Sequence, residues 1–354
     1  MNDLEEIRRL LPPAAAPDPS VVAQARARMF TQAPESARPK LGRRLVITAA
    51  IGAAVATGIV ALPGDSGKPL SGRDVLLVAA TQAAKEPLAT GKYYRTRVIH
   101  QSTEKFGLAP NTYHYDTRGL AEIWVAADPA KPDHYGTVRL GGKPTTPADA
   151  EAWKRDGSPT VLKLPMMILG QPAMVDATPG GAKLETVNRE DVIGYGSTPD
   201  GKPITFTREE WAALPADPAE LKAFLLNRPL ASQVSQKDWL IRFAMYFLSE
   251  FPVRPEARAG LFKMLAGLDG VTSDGPVTDP QGRKGMGVTI APEPGRNETP
   301  HKLIVDTNTG KLLSYGSEGK ATPGVDGPQG PYWEIVLSAE WTNDEPKPPS
   351  TATP

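Results

Sequence analysis

KDWLIRFAMYFLSEF, residues Lys237–Phe251, is the stretch whose reading decides the fold class. Its apolar side chains recur at helical spacing, with Trp239, Phe243 and Phe247 four residues apart on one face. Pro252 and Pro255 stop the helix, and a second apolar helix, Glu256–Gly267, follows. Just upstream, Thr207 followed by Glu210 fits a capping box, and Asp217 with Glu220 caps DPAELKAFLL. A run of helices this apolar needs a broad surface to pack on.

Strand patterns on both sides supply that surface. Before the helices, a short helix at Arg73–Lys85 leads into Gly91–Ser102 and Tyr113–Ala126, both rich in aromatic and β-branched residues, then Tyr135–Leu140. After them come Gly285–Ala291, His301–Asp306, a Thr307–Gly310 turn, Lys311–Tyr315 and Tyr332–Trp341. The expected class is α+β: an antiparallel open or curved sheet with helices packed on one face, preceded by short N-terminal helices and one transmembrane helix.

The transmembrane expectation rests on LVITAAIGAAVATGIVAL, bounded by Leu45 and Leu62. It has no charge and no proline, and its length just reaches the ~17–25 residues that span a bilayer. Arg38, Lys40, Arg43 and Arg44 precede it and would hold the N-terminus in the cytoplasm. A cleaved signal peptide fits poorly, because the preceding region is long and Val60-Ala61-Leu62 is a weak cleavage site. A twin-arginine export signal at Arg43-Arg44 is the other rival. The expected layout is a cytoplasmic polar tail with short helices (1–44), a span (45–62), a linker (63–72), an extracytoplasmic α+β domain (73–341) and a disordered tail (342–354). The expected location is the cell membrane, single-pass, with the lipid bilayer as a partner.

Composition removes several functions. The formal net charge is +0, so nothing favours nucleic acid. There is no cysteine, hence no disulfide framework, thiol nucleophile or cysteine zinc site. His100, His114, His134 and His301 show no metal-ligand spacing, and no nucleophile-elbow or phosphate-loop motif occurs. No catalytic, metal or cofactor residue is expected. Tyr93 and Trp124 in strand patterns, with Trp239, Phe243 and Phe247 on the helix, are the candidates to line an apolar cavity if the sheet is open. Core packing of the helical set is the ordinary reading of the same spacing.

The order LEEIRRLLP…DPSVVAQARARM, arginines, an alanine-rich span, LPADPAELKAFLL, PEARAGLFKMLAGLDGV and VDTNTGKLL resembles the actinobacterial membrane proteins of the CU044_5270 family. That resemblance implies association of residues 1–44 with a cytoplasmic partner such as an extracytoplasmic-function sigma factor. The body also looks like the lipoprotein-carrier folds of the LolA and RseB kind, an open sheet around a helical plug. The expected function is therefore a membrane-anchored binding or regulatory protein, not an enzyme. A carrier for lipid or lipoprotein acyl chains is the alternative, and an envelope hydrolase with a scattered site a distant third.

Overall fold

The computed structural model describes residues 69–168, 171–187, 206–228, 235–296, 298–318 and 330–351. Helix α1 (Gly72–Ala83) leads into strands β1 (Tyr93–Leu108), β2 (Asn111–Ala126) and β3 (Asp133–Pro144). Helix α2 (Pro147–Arg155), the hairpin β4 (Val161–Ile168) and β5 (Gln171–Asp176), and strand β6 (Gly180–Val187) follow. Then come four helices, α3 (Arg208–Ala212), α4 (Pro218–Leu226), α5 (Gln236–Ser249) and α6 (Pro255–Ala266). Strands β7 (Val271–Thr278), β8 (Lys284–Ile290), β9 (His301–Asp306), β10 (Lys311–Ser317) and β11 (Tyr332–Thr342) complete the described chain.

Nine of these strands form one antiparallel sheet in the order β6-β3-β2-β1-β11-β10-β9-β8-β7. The long ribbon of β1 and β2 keeps one register from Tyr93–Ala126 to Leu108–Asn111, so alternate residues stay on a constant face throughout. Edge strand β7 is bulged between Ser273 and Gly275 and carries Pro276.

One face of the sheet takes the helices. Tyr94, Ile123 and Val125 from the ribbon, with Val288, Leu303, Val305 and Tyr315, meet α1 and α3–α6 in the main core. Helix α5 is buried nearly all round: Trp239, Phe243 and Phe247 are at most 3% exposed. Ring centroids of Trp239 and Phe243 lie 4.1 Å apart, and Phe206, just ahead of α3, reaches Phe243 at 4.9 Å and Phe247 at 5.3 Å. Each such ring contributes about 1.5–3 kcal/mol through burial. Helices α1, α2 and α3 start at capping boxes, Ser71–Asp74, Thr146–Asp149 and Thr207–Glu210.

A second, smaller packed region lies on the same face at the far end of the ribbon. There Phe106, Tyr113 and Tyr115 pack with Ala152 of α2, Leu162 of β4 and Ala177. Tyr113 donates its hydroxyl to Asp156 at 2.8 Å, and Asn111 ties to the Ala152 carbonyl.

The structure corrects the expected transmembrane helix. Among the described residues no helix is long and apolar enough to cross a membrane. The longest of them, α5, has 14 residues, about 21 Å at the α-helical rise, and is spent on the sheet with charged Asp238 and Arg242 on its length. The described fold is a mostly antiparallel sheet with a helical layer, and the expectation of a single-pass location in the cell membrane, with a bilayer as partner, loses its support. The stretch Leu45–Leu62 lies outside the described residues, as do Arg38, Lys40, Arg43, Arg44 and the whole of 1–44.

Candidate functional site

Between the two packed regions the ribbon's helix-side face is left partly open. Strand alternation puts Tyr94, Thr96, Val98, His100, Ser102, Glu104 and Phe106 in one row along β1. Tyr94 belongs to the helix-covered core and Phe106 to the α2 region. His100 and Ser102, midway, are only half-buried, as is Thr117, whose hydroxyl meets that of Ser102 at 3.0 Å. Two or three alternating positions span about 10 Å of strand, and this half-buried stretch is the trough.

The neighbouring strands extend the trough's floor. On β11, Glu334 stands directly opposite His100, and Tyr332 opposite Ser102. On β3, Tyr135, Thr137 and Arg139 face the same way, opposite Ile123, Ala121 and Gly119 of β2. Arg139 reaches the Thr178 carbonyl and pairs with Asp176 at 2.9 Å, which holds the end of β5 against this side. Helix α5 ends at the trough with Glu250, 6% exposed.

The polar groups of this floor form one electrostatic unit. The Nδ1 edge of His100 contacts the Glu334 carboxylate. Burial opposes charging the imidazole, but the field and hydrogen bond of Glu334 outweigh it, so its pKa is raised. Burial first, and the Glu334 charge second, push Glu250 up to about 8, with His100 acting the other way. Burial also raises the Tyr135 and Tyr332 hydroxyls. At neutral pH Glu250, pushed up to about 8, is protonated and neutral beside the His100–Glu334 contact.

A second charged group flanks it at the start of α5. The His301 ring meets Asp238 at 2.6 Å and Arg242 donates to the same carboxylate at 2.5 Å. Burial works against this carboxylate, but the His301 hydrogen bond and the Arg242 charge hold it down at about 2. Asp238 and Arg242 lie close enough to Tyr332 to bias its hydroxyl.

The aromatic residues expected to share one cavity occupy two sides of the sheet. Trp239, Phe243 and Phe247 are within the helix-side core. Tyr93 and Trp124 alternate onto the opposite face, where they pack with Ala126 and Leu184. The polar residues of the trough carried weaker signals. Glu334 interrupts the apolar run of YWEIVLSAEW, and Glu250 stands next to Phe251 at the end of a helix whose second half is almost entirely apolar. Among the described residues no three His, Asp or Glu side chains gather in a way that could hold a metal ion.

No protein-family model matches the chain, and no curated protein does. A solved structure, the crystal structure of a LolA superfamily protein from Nitrosomonas europaea, is similar at 8% identity over 78% of this chain and 96% of that one. Its TM-score is 0.17, a likeness that supports no statement about this chain's family or ligand.

Proposed function

We infer that the protein is a binding protein for an amphiphile carrying an acyl chain, held across the helix-side face of the sheet. The trough carries this reading: a half-open floor between two apolar packed regions, at the centre of an otherwise covered face. Val98, Ala121 and Val336 border it on one side, and Phe106, Tyr115 and Leu162 on the other. Those shoulders suit an apolar body, while His100, Glu334 and the protonated Glu250 offer a hydrogen-bonding head both donors and acceptors. Binding without chemical change is the function such a floor supports best, because the charged groups are already paired with one another.

The test is titration of a fluorescent fatty-acid probe with the full chain, alongside native mass spectrometry of the freshly purified protein. Saturable binding is expected, lost in Ser102→Trp, which fills the floor, and kept in Lys105→Trp on the opposite face. Absence of binding, or equal binding by both variants, overturns the reading.

A further inference from the structure

The opposite face of the ribbon has its own aromatic patch, and the chain's own end is held beside it. Tyr93 and Trp124 meet edge to face with centroids 6.1 Å apart, and Tyr93 meets His134 at 6.2 Å. The Arg95 guanidinium lies 4.6 Å above the Trp124 ring. Residues 343–351, NDEPKPPST, return along this side after β11. Asn343 accepts from the Lys92 backbone N–H at 3.3 Å, and Glu345 pairs with the Lys92 ammonium at 2.7 Å. Pro349 is buried on Gly136 of β3, where an added Cβ would come within 2.9 Å of the proline ring.

Three observations make this a recognition groove rather than an incidental contact. The segment's residues before Pro346, Pro348 and Pro349 are sterically driven to extended backbone, so it needs little ordering to lie flat. Aromatic-lined grooves are how extended proline-rich chains are read. The Trp124 indole N–H, fully buried, has no acceptor among the described residues, so the resident segment leaves part of the groove unused. We propose that the Tyr93–Trp124–Gly136 face is a docking groove for proline-rich partner segments bearing an acidic residue, and that residues 343–351 occupy it in cis as a competitor. A tethered segment competes at an effective concentration near millimolar, so a partner must carry a better-fitting sequence to displace it.

The test uses a fluorescein-labelled peptide of residues 343–351 and full-length chains, read by polarisation. In the double variant Glu345→Lys with Pro349→Asp the resident segment is disfavoured, and the peptide is expected to bind at least about ten-fold tighter than to the wild type. Adding Gly136→Leu should abolish that binding. Because that variant crowds a strand, exposed Lys92 gives a second route: in a chain whose resident segment is displaced by Pro349→Asp alone, Lys92→Glu should weaken the peptide several-fold, and a peptide carrying Glu345→Lys should restore it. Equal binding by wild type and emptied chain, equal binding of a peptide with alanine for each proline, or failure of the charge swap to rescue overturns the proposal. So does a dimer that grows with chain concentration and is lost in the double variant, since the groove would then take a second copy.

Discussion

Glu122 shows how much a single carboxylate can hold. It is 1% exposed on the face away from the helices and accepts from both Arg95, at 2.8 Å, and Arg97, at 2.9 Å. Removing it leaves two partly buried guanidinium groups facing each other. Glu122→Ala should cost about 3 kcal/mol, measured as a fall in the urea midpoint at constant slope. The trough residues set a pH dependence instead. Folded Glu250 keeps its proton to about pH 8, whereas a free glutamate loses it near 4.5, and its place at the C-terminal end of α5 adds to the cost of charging it. Between those values the folded state holds the extra proton, so stability falls as pH rises. Raised His100 acts in the same direction: its stabilisation is full below 6.5 and lost as pH climbs through its folded value. Asp238 acts oppositely, losing its contribution as pH falls from 3.8 towards 2. Urea unfolding should therefore be hardest near about pH 5 and easier by pH 9, and Glu250→Gln should flatten the alkaline decline. None of this pairing was legible in the sequence. His100 and Glu334 are neighbours only through the β1–β11 register, and a lone histidine in a strand pattern does not announce its partner.

Among elements, helices were the most legible because their signals are local. Trp239, Phe243 and Phe247 stand at the spacing that buries one face, and the Thr207–Glu210 box closes where the residue types put it. Phe243→Ala removes a ring in contact with Trp239, Phe206 and Phe247, and should destabilise by about 3–5 kcal/mol in denaturant titration. The turn between β9 and β10 shows what local reading misses. Thr307–Gly310 reads as a plain hairpin turn, yet Gly310, at φ 70°, packs against the end of α1. A Cβ there would come within 2.5 Å of the Ala83 backbone nitrogen. Gly310→Ala should therefore cost more than the roughly 1 kcal/mol of an ordinary left-handed position, which a thermal melt would register as a shift of several degrees. Strand lengths were underestimated for a related reason. Tyr135–Leu140 reads as short, but pairing with β2 carries β3 on to Pro144.

At the scale of the molecule, the sequence showed helices between strand-rich halves but not which half of the sheet they would leave open. The order β6-β3-β2-β1-β11 joins the two halves by closing the last strand against the first. That closure builds the trough floor from residues near both ends of the described chain. It also leaves the sheet unclosed as a ring, and this has a consequence for behaviour in concentrated solution. An unclosed sheet ends in rows of free amide and carbonyl groups that invite stacking of one molecule on another. On the β7 rim Pro276 deletes one donor and the kink between Ser273 and Gly275 bends the strand out of line, so that rim is poorly matched to a neighbour's. Restoring a straight, donor-complete rim should convert a well-behaved solute into a self-associating one. Pro276→Thr with deletion of Asp274, the extra residue of the bulge, is expected to scatter light progressively at concentrations where the parent stays clear.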